Sequence, residues 1–171
     1  GQTLGVIGYG ELGKAVADMA HAFGMQVLIA QRAGMPDMPG RCKLDRLLAE
    51  ATVITLHCPL TEETENLLDR AAFRKMRADA ILINTARGGI VNETDLLQAL
   101  KSHEIAGAAV DVLTTEPPVS GNPLLDESLP NLIVTPHIAW AGRHARQQLV
   151  DELVANIRAF LAGKPRNLVT P

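Results

Sequence analysis

The sequence predicts an α/β fold, a doubly wound parallel sheet with helices on both faces. Short apolar runs alternate with amphipathic stretches along the whole chain, and that alternation builds βαβ units. Apolar residues make up 47 % of the chain but aromatics only 3 %. The core must therefore come from Ala, Val, Leu and Ile, which suits strands buried on both faces. With 171 residues, the chain has the length of one domain and can bury roughly 70 % of its extended surface.

Residues 3–8 read as a buried strand, and 11–23 carry apolar positions at helical spacing, with Gly24 placed to cap the helix end. A second strand is expected at 26–30, a loop at 31–43, a short helix at 44–51 and a third strand at 52–57 that Pro59 ends. Residues 61–77 look helical in two pieces, with Thr61 and Asp69 as caps. A strand at 80–84, a helix at 92–102 capped by Asn92 and a strand at 105–112 follow. The stretch 113–130 holds four prolines and must be mostly irregular. Residues 132–135 form a strand stopped by Pro136, and 142–162 form the longest helix, closed by Gly163 and Pro165. There is no internal repeat, low-complexity tract or linker.

The formal net charge is −3. Without a basic stripe there is no electrostatic case for nucleic acid or an anionic membrane as partner. Cys42 and Cys58 form neither a CxxC pair nor a zinc spacing, so a disulfide scaffold and a metal site are not expected, and a reducing cytoplasm fits. No run approaches the roughly 18 apolar residues of a membrane span, and no signal peptide is visible.

Gly8-Tyr9-Gly10-Glu11-Leu12-Gly13 has the pattern GxGxxG. The pattern alone is weak. Here it follows a strand and opens a helix, which gives it physical meaning. Gly8 permits the tight turn, Gly10 lets a pyrophosphate approach the backbone, and Gly13 lets helix and strand pack closely. The helix start at Glu11 and Leu12 turns its N–H groups and positive end toward the phosphates. The expectation is a Rossmann-type dinucleotide-binding domain. The ribose reader at the end of the second strand is usually acidic. That place holds Gln31, followed by Arg32. An amide can bond a 2′-hydroxyl without repelling a 2′-phosphate, and Arg32 could pair with that phosphate. Both NAD(H) and NADP(H) are allowed, with NADP(H) slightly favoured. Arg32 reads equally well as a solvated loop residue.

Three further segments are more specific: Leu82-Ile83-Asn84-Thr85-Ala86-Arg87-Gly88-Gly89, then Ala109-Val110-Asp111-Val112-Leu113 leading to Glu116-Pro117-Pro118, then Thr135-Pro136-His137-Ile138-Ala139-Trp140. In this order and spacing they resemble the D-isomer-specific 2-hydroxyacid dehydrogenases, and His57-Cys58-Pro59-Leu60-Thr61 resembles that family's segment beside the cofactor. The likeness runs the length of the chain. Within the family it is nearest to glycerate dehydrogenases and hydroxypyruvate or glyoxylate reductases, through 116–124 and 137–140.

The resemblance implies an oxidoreductase acting on small D-2-hydroxy and 2-keto acids. Such a reduction needs a cation for the carboxylate and an acid for the developing alkoxide. Arg87 would take the first part, since its planar fork suits a carboxylate and can polarise the keto oxygen. His137 would be the acid/base, and Glu116 would orient its imidazole and favour the charged form. Asp111 resembles the acidic residue near the nicotinamide. Cys58, Pro59 and Thr85 resemble cofactor-lining positions, and His137 borders the cofactor as well. Trp140 would wall the substrate pocket, with core packing as the alternative. The other histidines, His21, His57, His103 and His144, read as surface or packing residues.

The family carries a second, substrate-side domain, so residues 1–171 are expected to be the NAD(P)-binding domain alone. As such the chain would bind dinucleotide but turn over poorly, and the full-length protein would be a homodimer. Two alternatives stay open: a phosphite-type or other dehydrogenase of the same superfamily, and a corepressor-like scaffold that senses NADH.

Overall fold

The computed structural model describes all residues except 33, 37, 127, 170 and 171, so the loop reading at 33 and 37 and the irregular reading at 127 lie outside the described residues. The chain divides into two compact units, Gly1–Pro136 and His137–Pro171.

The first unit holds strands β1 (Thr3–Ile7), β2 (Gln26–Ile29), β3 (Val53–Leu56), β4 (Ile81–Asn84), β5 (Gly107–Val110) and β6 (Leu132–Val134). They form one sheet in the order β2-β1-β3-β4-β5-β6, and every adjacent pair is parallel. The intervening helices are α1 (Glu11–Ala22), α2 (Leu44–Glu50), α3 (Arg70–Phe73) and α4 (Glu93–Lys101). Within β1 the side chains alternate as a pleat demands. Leu4 and Val6 cluster with Ala17 and Ala20 of α1, while Ile7 belongs to the larger core with Leu47, Ile54, Leu82 and Leu96. On that second face α2 sits close: a Cβ on Gly5 would lie 2.5 Å from Leu47 Cδ2. Each Leu or Ile buried this fully contributes roughly 1.5–3 kcal/mol.

Helix α1 stops where the sequence indicates. Gly24, at φ +72, donates its N–H to His21 O at 2.9 Å, and Met25 donates to Ala20 O at 3.0 Å. This is a Schellman closure, which needs a left-handed residue and so favours glycine.

Three features depart from the sequence reading. Of the helix expected over 61–77, only α3 forms, capped by Asp69, which accepts from the Ala72 N–H at 2.9 Å. Upstream the Thr64 hydroxyl donates to Pro59 O at 2.7 Å and accepts the Thr61 N–H at 2.8 Å. Side-chain bonds of this kind offer the backbone an alternative to helix. Leu68 is then drawn into a parallel bridge with Val91. Second, Cys42 pairs with the outer edge of β2 through a bridge to Ala30. Third, Gly88–Ile90 closes a 3-10 turn before α4. The long proline-bearing stretch after β5 is irregular where it is described.

The second unit is built on α5 (Arg143–Leu161), which ends in the same closure as α1: Gly163 at φ +69 donates to Phe160 O, and Lys164 donates to Ala159 O. The tail folds onto this helix, where Arg166 pairs with Glu152 at 2.7 Å. No residue of α5 is buried. No helix among the described residues is long and apolar enough to cross a membrane.

Candidate active site and coenzyme cleft

From β1 the chain steps to β2 on one side, then returns past β1 to β3 on the other. At such a reversal the connections leave the sheet in opposite directions and open a crevice at the carboxyl ends of the strands. A cavity of about 650 Å³ lies there, lined by the turn after β1, the end of β2 and the segment after β3. That volume falls within the roughly 300–1,000 Å³ of small-molecule sites.

Six of the residues expected to bind cofactor line it: Gly8, Gly10, Gln31, Arg32, Cys58 and Pro59. The glycines differ in what they require. Gly8 has φ +95, and a Cβ there would lie 2.4 Å from the Cys58 nitrogen. A Cβ on Gly13 would lie 2.1 Å from Gly8 O. These two let β1, α1 and the turn after β3 close on one another. A Cβ on Gly10 would meet nothing within 4 Å, and no side chain caps the first turn of α1. The backbone is thus bare where a pyrophosphate would need it, at the positive end of a helix. Glu11 and Leu12 are exposed on that first turn.

The cavity walls are mixed. Ile7, Ala30, Met35, Met38, Leu44 and Leu67 give apolar surface for a purine, while Arg32, Arg41 and Lys43 supply positive charge. Arg41 is fixed by stacking over the Tyr9 ring at 5.2 Å and by donating to Ala30 O at 3.3 Å. Gln31 donates its amide N–H groups to Met35 O and Pro36 O, organising the loop after β2. Its Oε1 is buried without a partner. Arg32 reaches across to Glu63, Nη2 to Oε2, at 3.0 Å. A bare glycine turn, apolar walls and a cationic rim fit an adenine dinucleotide.

Burial pushes the Cys58 thiol up, which leaves it protonated and unreactive near neutral pH. His57, read from sequence as a surface or packing residue, is half-buried in the cavity wall, 3.0 Å from Thr55 Oγ1. Desolvation holds its imidazole below the ordinary value. His21, His103 and His144 are exposed.

Thr85, Arg87, Asp111 and Glu116 do not line this cavity. They lie further along the same carboxyl edge, after β4 and β5. Two anchors that the sequence did not announce hold their loops. Asn84, 1 % exposed, donates to Arg87 O at 2.9 Å and accepts the Ala86 N–H at 3.0 Å. Glu93 accepts the Thr114 N–H at 2.7 Å and the Asn122 amide at 2.8 Å. The Arg87 and Glu116 loops meet backbone to backbone, since a Cβ on Gly88 would lie 2.0 Å from the Leu113 carbonyl carbon. The Arg87 guanidinium is exposed and donates to Ala86 O at 2.6 Å. Glu116 accepts the Leu113 N–H at 2.7 Å. Asp111, 4 % exposed, accepts from the Thr135 hydroxyl and so joins the ends of β5 and β6.

His137 opens the second unit, exposed and at φ +52. Its carbonyl accepts the Trp140 indole N–H at 2.9 Å. Trp140 is 53 % exposed. Among the described residues no His, Cys, Asp and Glu cluster could hold a metal ion.

Residues 1–139 match the family model for the NAD binding domain of D-isomer specific 2-hydroxyacid dehydrogenases. A glycerate dehydrogenase of Methylorubrum extorquens is 53 % identical over 172 residues, an alignment taking in 99 % of this chain and 53 % of that protein. A hydroxypyruvate reductase of Blautia hydrogenotrophica is 42 % identical, over 99 % of this chain and 53 % of that protein. Among solved structures, an acyclic imino acid reductase in complex with NADPH and D-Arg superposes with a TM-score of 0.87 at 35 % identity, over 99 % of this chain and 54 % of that one. The chain thus spans about half the length of the curated relatives it matches. An all-parallel sheet with a bare glycine turn at its point of reversal, and a family model that takes in most of the chain, lead to one conclusion: the chain belongs to the D-isomer-specific 2-hydroxyacid dehydrogenases and carries their NAD(P)-binding domain.

Proposed function

We propose that this chain is the coenzyme half of an oxidoreductase that interconverts small D-2-hydroxy acids and 2-keto acids, with D-glycerate/hydroxypyruvate and glyoxylate as its substrates. The observation that carries this reading is the placement along one sheet edge: the nucleotide cleft lies beside β1, and two clamped loops bearing Arg87 and Glu116 follow β4 and β5. The likeness to a glycerate dehydrogenase and a hydroxypyruvate reductase supports the substrate choice. The relatives are about twice as long as the stretch matched here, which supports a reading of the whole protein as two-domain, homodimeric and cytoplasmic.

When bound, the nicotinamide supplies or accepts the hydride. The chain's own residues do the rest. Gly8, Gly10 and Gly13, with the first turn at Glu11 and Leu12, hold the pyrophosphate. Gln31 and Arg32 read the adenosine ribose. Cys58, Pro59, Thr85 and Asp111 border the dinucleotide. Arg87 binds the substrate carboxylate through its fork and polarises the carbonyl oxygen. On the family likeness, His137 is the group that gives or takes the proton at that oxygen, with Glu116 assigned to tuning the acid and Trp140 to the substrate. Three cations against one carboxylate around the cleft favour a coenzyme with a further phosphate, so NADP(H) is preferred over NAD(H) by a modest margin.

Steady-state reduction of hydroxypyruvate and glyoxylate by the full-length protein tests the reading. Arg87→Lys keeps the charge but loses the bidentate fork, and is expected to lower kcat/KM by about 100-fold, or about 2.7 kcal/mol. An Arg87→Lys enzyme with unchanged kcat/KM would overturn the role of Arg87. Full-length protein inert toward both acids would overturn the substrate assignment.

A further inference from the structure

We infer that Glu63 sets the coenzyme preference: its carboxylate latches Arg32 across the cleft and must be displaced before Arg32 can take a 2′-phosphate. This inference rests on the reading of the cleft as the dinucleotide site.

Arg32 follows β2 and Glu63 follows β3, so the pair joins two walls of one cavity, Nη2 to Oε2, at 3.0 Å. Glu63 is not carried on a loose loop. Its turn is held by the Thr64 hydroxyl on Pro59 O at 2.7 Å, by the Glu65 N–H on Thr61 O at 2.8 Å and by the Asn66 N–H on Gly89 O at 2.8 Å. The backbone therefore places this carboxylate in advance. The side chains of the pair stay 71 % and 56 % exposed, and pairs this exposed add little to folding. Their geometry is free to exchange for a ligand. Neighbouring Arg41 is already committed to Tyr9 and Ala30 O, so of the two arginines in the cleft Arg32 is the one whose partner can change.

A 2′-phosphate and Glu63 compete for one guanidinium, and they also repel. About two negative charges held about 6 Å from a third in a water-like dielectric, screened by salt, shift an equilibrium about threefold, and surrender of the exposed ion pair adds about threefold more, for about tenfold together. A 2′-hydroxyl brings no charge and leaves the latch closed. Glu63 therefore acts against NADPH and not against NADH.

The test is titration of this chain with NADPH and with NADH, following nicotinamide fluorescence, for the parent, Glu63→Gln, Arg32→Ser and the double variant. Glu63→Gln is expected to tighten NADPH about tenfold while changing NADH less than about twofold. With Arg32→Ser in place, the same change is expected to be worth only about threefold, because the contested partner is gone and the repulsion alone remains. An unchanged NADPH-to-NADH ratio in Glu63→Gln, or an equal gain for both coenzymes, overturns the latch. So does a gain that persists undiminished in the Arg32→Ser background. If the parent binds neither coenzyme, the reading of the cleft itself fails and the latch with it, an outcome distinct from binding with an unaltered ratio.

Discussion

Gly10 and Gly13 belong to one turn and obey opposite demands. Gly13 is glycine because a Cβ would run into Gly8 O at 2.1 Å, whereas Gly10 faces open space. Gly13→Ala is therefore expected to destabilise the fold by about 1–3 kcal/mol through overpacking, visible as a lower midpoint in urea. Gly10→Ala should cost less than about 1 kcal/mol, yet weaken dinucleotide binding at least tenfold in calorimetry. His57 makes a second residue-scale test. Burial lowers its pKa in the folded state, so the unfolded chain binds that proton first as pH falls. The stability tied to neutral His57 is complete above the ordinary value of about 6.5. It is lost as pH drops from there through the folded value. Tm measured from pH 8 to 5 should fall on the acid side, and His57→Gln should flatten part of that fall; equal slopes for parent and variant would rule this out. The close-packing roles of Gly8 and Gly13 were legible in the sequence because a motif encodes backbone shape. Asn84, Glu93 and Glu63 were not. Asn84 looked like an ordinary strand end, and Glu93 and Glu63 find partners 21 and 31 residues away, which no local pattern reports.

At the scale of elements, periodicity located the strands and helices of the described residues outside 61–77, with ends shifted by at most two residues. It failed over 61–69, where hydroxyl-to-backbone bonds from Thr64 and the Leu68–Val91 bridge outweigh helical spacing. Helix α5 shows the limit of such a pattern in another way. Leu149, Leu153, Ile157 and Leu161 recur every four residues, as for a buried face, yet they stay 63 %, 57 %, 51 % and 78 % exposed. The paired change Leu153→Ser and Ile157→Ser should therefore move unfolding free energy by less than about 0.5 kcal/mol. Leu96→Ala in α4, at a fully buried position, should cost about 2–5 kcal/mol. Denaturation of both variants separates the two cases; a comparable loss from the α5 pair would mean that its face is packed in solution.

Across the whole molecule, the fold determines where chemistry can gather. One reversal of strand order creates the cleft, and parallel strands deliver the Gly8 turn, Gln31, Cys58, Arg87 and Glu116 to the same edge of the sheet. The alternation of strand and helix foretold this architecture from sequence, and the glycine turn foretold which edge matters. Cleft depth, the Arg32–Glu63 pairing and the backbone contact of Gly88 with Leu113 depend on three-dimensional packing. The measurement that bears most directly on the account is titration of the chain with NADPH and NADH, alongside Gly10→Val. The account predicts saturable binding of both, NADPH tighter by less than about tenfold, and loss of both in Gly10→Val with the fold intact. Absence of saturable binding in the parent, or binding that Gly10→Val leaves untouched, would contradict it.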